Sequence, residues 1–414
     1  MLESITLLGS SSGRNAGDAA LMSGIMDSVD EACGRRLLYE IPTIKPRFVR
    51  ATYRNNVVPI SMLPWNLSLK MLGLPTYHSV MRTDLSLIFD AILFDRALYN
   101  PLFNFLSTLS LLLPKAKRAG KRMGFYNIGA GPVNTKRGQT MLRDLANLMD
   151  FITVRDIASY NILKDIGVTN PRMIIGADAA LNVEKARAER VDEILAELGL
   201  ESGAEILAIN INAYLNTWAQ PQTKALSKDE FLGIYSAGLR RALKGLDVPV
   251  LFVSTQHHDV NITKELIARL GYPGKIAFIS NVDYNHFEIK GVLSRVSLLF
   301  AMRLHAMILA SSELTPIIGL SYQPKIDHYL STIGLQGFAL HFDSFSEHGI
   351  AEHIRRGWNA RQTIRDTLSK FIPRQKQEAL KAAQLVRSLY HGADLDQTIQ
   401  AFHSSASMPQ YAAK

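Results

Sequence analysis

The chain has almost no cysteine: Cys33 stands alone among 414 residues. A single thiol excludes an internal disulfide and any zinc site built on paired cysteines, and it suits a reducing compartment. Long hydrophobic runs are missing as well. The most apolar stretch, Phe103–Leu113 (FNFLSTLSLLL), falls short of the roughly 18–20 residues that span a bilayer and carries Ser and Thr, so it is expected as a buried or interfacial helix. The opening MLESITLLGSSSG has no basic n-region and runs straight into a strand pattern, so it does not read as a secretory signal. The expectation is a cytoplasmic protein. HExxH, paired Cys and clustered Asp patterns are all missing, so no metal is expected. GxGxxG and a Gly-Lys-Ser/Thr P-loop are missing too, and the Ser-rich GSSSG is not a GxSxG elbow; nicotinamide binding and serine hydrolysis are thereby unsupported.

What is present is a chain of 47% hydrophobic and 20% charged residues with mean hydropathy near zero, enough to bury two domain cores. Forty-six Lys and Arg against 37 Asp and Glu give a net charge of +9. That sign fits nucleic acid, an anionic membrane face or small anionic substrates. Local basic clusters occur at Lys115–Arg122 and Arg355–Arg365, without the aromatic-basic interleaving of single-strand binders, and no nucleic-acid partner is expected.

Strand-like and helix-like patterns alternate along the chain. Ser4–Leu8, Leu37–Ile41, Met123–Ile128, Phe151–Val154 and Arg172–Ile175 read as strands, with another inside Leu85–Phe94; helices are expected at Gly17–Val29, Gly138–Met149 and Ala158–Ile166. A charged helical stretch, Val183–Leu198, suits a connection. The alternation then resumes from Ile206–Ile211 through a helix opening at Pro324. This predicts an α/β protein of two doubly wound Rossmann-like domains facing a cleft, as in the GT-B plan. The expected division is 1–185, 186–345, C-terminal helices over 346–403 and a flexible tail over 404–414, with the last long helix packing back on the first domain.

In open parallel sheets, ligands sit beyond the carboxyl ends of strands, so the residues just after each strand are the candidates. Arg155-Asp156 follows FITV, Gln256-His257-His258-Asp259 follows VLFVS, Arg303-Leu304-His305 follows SLLFAM, and Tyr322-Gln323-Pro324-Lys325 follows PIIGLS. Lys325, Arg303 and Arg155 each put a cation at the start of an expected helix, where the macrodipole opposes it; a bound anion would remove the conflict. Each also has a bland alternative: Arg155 pairing with Asp156 or Asp178, Lys325 with Asp327, His305 as a satisfied core histidine. In the loop GSSSGRNAGD, Asp18 is either a helix cap or a substrate ligand, and Arg14 and Asn15 are placed to face a cleft. His257 and His258, adjacent on an extended segment, would point to opposite sides and not share an ion. One of them with Asp259 is a candidate substrate contact.

Taken in order, GRNAGDAAL (13–21), NIGAGP (127–132), VRDIASYNILKDIGV (154–168), GADAAL (176–181) and MRLHAMILASSELTPIIGLSYQPKIDHYLSTIGL (302–335) resemble the polysaccharide pyruvyl transferase family. The last block, with R-x-H, a small-residue helix, T-P-I-I-G-L and Y-x-x-K, is the specific one. The resemblance implies a GT-B-like fold and transfer of pyruvate from phosphoenolpyruvate, the donor substrate, onto two hydroxyls of a sugar as a ketal, in cell-surface or exopolysaccharide synthesis and with no cofactor. It assigns Arg155, Arg303 and Lys325 to the donor's anionic groups, His305 to general acid catalysis and Asp18 to orienting an acceptor hydroxyl. Arg14, Asn15, Tyr322, Gln256 and His258 complete the expected substrate contacts. The acceptor is a sugar or a lipid-linked oligosaccharide, and with the latter the positive charge and the apolar segment 100–113 would favour peripheral membrane contact. One departure is that Phe89-Asp90-Ala91-Ile92-Leu93-Phe94-Asp95 stands where many relatives carry a Gly-Gly turn, implying a reshaped first-domain pocket. A nucleotide-sugar glycosyltransferase of the same plan and a non-catalytic glycan- or anion-binding protein are the alternatives.

Overall fold

The computed structural model describes residues 2–62, 69–98, 104–201, 203–213 and 226–405. Two compact units divide the chain. The first takes the N-terminal strand up to Gly13, Leu21–Ala179 and the helical residues from Gln377 onward; the second takes Arg14–Ala20 and Ala180–Lys376. Against the division expected at 185–186, the chain changes unit at Ala179/Ala180, and the short segment Arg14–Ala20 belongs with residues almost 300 positions away.

The first unit is built on a seven-stranded parallel sheet of order β3-β2-β1-β4-β5-β6-β7. Its strands are β1 (Ser4–Leu8), β2 (Leu38–Thr43), β3 (Asn56–Ser61), β4 (Leu85–Ile88), β5 (Arg122–Ile128), β6 (Phe151–Val154) and β7 (Met173–Ile175). The second unit repeats the plan with six parallel strands, β10-β9-β8-β11-β12-β13. These are β8 (Leu207–Asn210), β9 (Val250–Ser254), β10 (Ile276–Ser280), β11 (Leu298–Ala301), β12 (Ile317–Ser321) and β13 (Ala339–His341). Central strands such as LSLI, FITV, LAIN and LLFA are buried at every residue, as strands covered by helices on both faces must be. Both sheets are doubly wound, and the expected Rossmann-like pair is present.

Several elements escaped the sequence patterns, among them helices Pro46–Thr52 and Leu69–Arg82, and for three the physical reason is plain. β3 (NVVPIS) has a proline inside, which only an edge strand tolerates, and half its residues are exposed; it is the edge of its sheet. β13 is three residues long. Helix His286–Leu293 is apolar nearly all round and carries no amphipathic stripe. The C-terminal region is one helix from Arg361 to His391 followed by Leu395–Ser405, so residues 404 and 405 are helical rather than tail; 406–414 lie outside the described residues.

Packing of the second unit buries His353, on helix Glu347–Asn359, against the ring of Phe300. Burial, helped by the nearby Arg356 cation, pushes its imidazole down to about 4. A histidine held neutral in the fold but free to protonate near 6.5 once unfolded contributes stability that is complete above about pH 6.5 and is lost as pH falls toward 4, to the extent of about 3 kcal/mol. Urea midpoints at stepped pH should fall over this window for the wild type and change less for His353→Gln. Parallel curves for the two proteins would refute the assignment.

Candidate functional site

The second sheet reverses its strand order between β8 and β11, whose ends are paired, Asn210 beside Ala301. A crevice at the carboxyl end of such a reversal is where open α/β sheets bind ligands. Asn210 braces the chain leaving β11. Its backbone oxygen accepts from Met302 N (3.0 Å), its Oδ1 from Arg303 N (2.9 Å), and its Nδ2 donates to Val253 O (2.8 Å). Arg303 is thereby set as N-cap residue of helix Leu304–Ser311, with His305 in the first turn.

The Arg303 guanidinium is held by a bidentate pair with Asp259, Nε to Oδ2 and Nη2 to Oδ1 both at 2.7 Å. Asp259 is completely buried, and its Oδ1 also accepts from Ala213 N at 2.9 Å. A buried carboxylate with two charge-assisted bonds fixes the plane of the fork. Tyr322 is buried beside this pair, hydrogen-bonded with Asn212. Loss of solvation raises its phenol's pKa, so it is a neutral support to Arg303 rather than an exposed contact.

Residues 14–18 close the site from a distant part of the sequence. Arg14–Ala16 zip onto the loop after β9: Ala16 N donates to Thr255 O, His257 N donates to Arg14 O, both at 2.8 Å, and Asn15 bridges to Gln256. Asn15 then shapes the first turn of helix Ala16–Cys33, its Oδ1 accepting from Gly17 N at 2.9 Å and its Nδ2 donating to Asp18 Oδ1 at 2.5 Å. Gly17 packs directly against His305; a Cβ there would stand 2.1 Å from the imidazole Nδ1 and 2.3 Å from the His305 Cβ. Gln256 Oε1 is buried without a hydrogen-bond partner among the described residues, an acceptor left for a hydroxyl.

His257 and His258 depart from the extended geometry expected of them. They lie in a single 3-10 turn, His257–Asp259, with ring centroids 6.0 Å apart and planes at 73°. Both imidazoles therefore share one locality. Lost solvation, the adjacent His257 and the Arg14 guanidinium hold the His258 imidazole below its ordinary value. Among the described residues no group of three or more His, Cys, Asp or Glu is placed to hold a metal ion.

Arg14, Asn15, Asp18, Gln256, His258, Arg303, His305 and Tyr322 are thus all residues of the second unit, as is Lys325, at the second position of helix Pro324–Thr332 behind an N1 proline. Asp327, its sequence-suggested partner, accepts from Ser321 Oγ at 2.6 Å. Arg155 belongs to the first unit and has carboxylate neighbours there. It pairs with Asp156 (3.3 Å) and Asp178 (3.7 Å), and its guanidinium lies on the Gly129 backbone, where a Cβ would stand 2.7 Å from Nη2. Burial opposes its charge, but Asp156, Asp178 and Asp90 outweigh burial and keep it protonated. Asp90 holds its place with a left-handed φ of 71°, in the segment that departs from the Gly-Gly turn. Sequence reasoning missed Asp259 as counter-ion to Arg303, and the bracing roles of Asn210 and Asn212. The one available signal was Gly17, a costly residue in a helix's first turn.

Two Rossmann-like domains on parallel sheets are a fold that the chain shares with solved GT-B-type glycosyltransferases and nucleotide-sugar epimerases. HepE from Anabaena, in complex with UDP and glucose, aligns at 12% identity over 98% of this chain and 99% of its own, with a TM-score of 0.55. A putative UDP-N-acetylglucosamine 2-epimerase from Listeria monocytogenes aligns at 12% identity over 95% and 98%, with a TM-score of 0.62. At such identity the likeness is one of fold. No curated protein sequence matches the chain significantly. The sequence profile of the polysaccharide pyruvyl transferase family matches residues 15–324, and the chain belongs to that family.

Proposed function

We propose that this protein transfers the pyruvyl group of phosphoenolpyruvate to two hydroxyls of a sugar, forming a ketal and releasing phosphate, in the synthesis of a cell-surface polysaccharide. The observation that carries the reading is the Arg303 fork, oriented by buried Asp259 at a strand-order reversal, with His305 one residue beyond its neighbour and Arg14 brought in by the loop after β1. A metabolite bearing both phosphate and carboxylate calls for several cations and helix N-termini, with Arg giving planar contacts and Lys a point charge. Arg303, Lys325 and Arg14 take that part. Arg155, on the first unit, is proposed as a further donor contact.

His305 delivers a proton to the enol methylene carbon, which becomes the methyl group, and the adjacent carbon becomes electron-poor. One sugar hydroxyl adds there and loses its proton. The carbon–oxygen bond to phosphate then breaks, and the second hydroxyl closes the ketal and loses its proton in turn. One of the two protons restores His305; the other leaves with phosphate. Asp18, set by Asn15, and the Gln256 carbonyl are placed to orient the hydroxyls, with His258 beside them.

Incubation with phosphoenolpyruvate and a panel of saccharides should release phosphate and add a pyruvyl ketal detectable by mass spectrometry. His305→Ala should lose transfer by about 10²–10⁴-fold while phosphoenolpyruvate still raises the melting temperature. A melt that moves with a nucleotide sugar but not with phosphoenolpyruvate would point instead to glycosyl transfer. Full transfer by the alanine variant would remove His305 from the reaction.

A further inference from the structure

In the first unit, helices Leu69–Arg82 and Phe105–Arg118 pack side by side; Gly73 on one lies against Leu112 on the other. The second helix points Leu106, Leu109, Leu113 and Ala116 into the core. Its opposite stripe, at the same helical spacing, carries Leu111, Lys115 and Arg118 outward, and Leu111 is 67% exposed, the most exposed large apolar side chain among the described residues. The outward stripe of the neighbouring helix repeats the order: Leu74, 49% exposed, then His78 and Arg82 one and two turns on. One exposed leucine needs no explanation. Two on adjoining helices, each continued along its own stripe by basic groups, form a surface with an apolar part and a cationic part.

The charges on that surface differ in how far they are neutralised. Arg82 pairs with Glu40 and Lys117 with Asp150. Lys115 and Arg118 have no carboxylate within salt-bridge distance among the described residues; Arg118 reaches only a backbone carbonyl. No described helix is long and apolar enough to cross a membrane, so any lipid contact made here is peripheral.

We infer that this face docks on an anionic lipid bilayer, with Leu74 and Leu111 entering the headgroup boundary and Lys115 and Arg118 meeting the acidic headgroups. Charge complementarity selects this occupant over a second copy of the chain, whose same face would bring unneutralised cations against cations. The inference does not depend on the donor assignment, since vesicle binding needs no turnover.

Flotation of the full chain with vesicles tests it. Binding is expected to phosphatidylcholine vesicles containing phosphatidylserine, to weaken with added salt, and to be missing with phosphatidylcholine alone. Lys115→Gln with Arg118→Gln should weaken binding about twenty-five-fold, at roughly fivefold per charge. Leu74→Glu with Leu111→Glu should abolish it; both sites are exposed, and an unchanged thermal melt would show that the fold is intact. Wild-type protein that stays unbound to anionic vesicles, or a leucine double variant that binds like wild type, would overturn the inference. So would light scattering showing a wild-type dimer that Leu111→Glu turns into monomers, which would give the face to a second copy.

Discussion

Replacing Arg303 by alanine is expected to remove transfer and to destabilise the second unit together. Asp259 is wholly buried and its carboxylate faces the guanidinium from both oxygens at 2.7 Å. Without its partner, that charge stays in a site closed to water, a situation that costs about 3–5 kcal/mol. Denaturant unfolding of Arg303→Ala should show a loss of that order, and transfer should fall by at least about a thousandfold if two or more charge-assisted contacts to the donor go with it. Arg303→Lys should recover little of either, because an ammonium cannot make the planar pair. Asp259→Asn separates the two effects. The amide still accepts from Ala213, so the loss of stability is smaller, but the fork is no longer held and the Michaelis constant for phosphoenolpyruvate should rise. An Arg303→Ala protein that unfolds and reacts like wild type would sink both the pairing and the site.

Gly17→Ala is expected to reverse the usual sign of its substitution. In an ordinary helix, Gly to Ala adds up to about 1 kcal/mol of stability. Gly17 has no positive φ that would strain a side chain, so only space opposes the change. That opposition is severe, because the new Cβ would meet the Cβ of His305 at 2.3 Å as well as its ring. Rotation about χ1 moves the ring but not the Cβ, so the first helical turn or the Arg303–His305 backbone must shift. A shift of about 1 Å at a catalytic group costs on the order of a hundredfold in rate, and overpacking costs about 1–3 kcal/mol. Gly233→Ala is the control: it lies in helix Lys228–Leu243 with nothing within 4 Å of the added Cβ, and it should stabilise the protein without touching transfer. If Gly17→Ala behaved like Gly233→Ala, the contact between the first loop and His305 would not exist in solution.

The parts of the site legible in the sequence were those written locally. A cation just after a strand and just before a helix is visible from hydrophobic pattern alone, and Arg303, His305 and Lys325 stand where that pattern put them. The same rule also selected Arg155, without revealing all of the carboxylates around it. Asp156 adjoins it and Asp178 was an expected partner, but Asp90 reaches it from the segment after β4, and no spacing in the chain announces it. His257 and His258 misled for a related reason. Two residues after a strand look extended until the 3-10 turn that follows is known.

The doubly wound architecture followed from one-dimensional information, because strands buried on both faces must be apolar throughout and the helices between them must carry a stripe. Membership of the family followed likewise, from short blocks whose residues are close in sequence. How these groups are paired and packed depended on contacts across tens to hundreds of residues: Asp259 on Arg303, Gly17 on His305, Asp90 on Arg155. Charge pairing acts over a few ångströms of space and is indifferent to distance along the chain, so only the tertiary structure decided it.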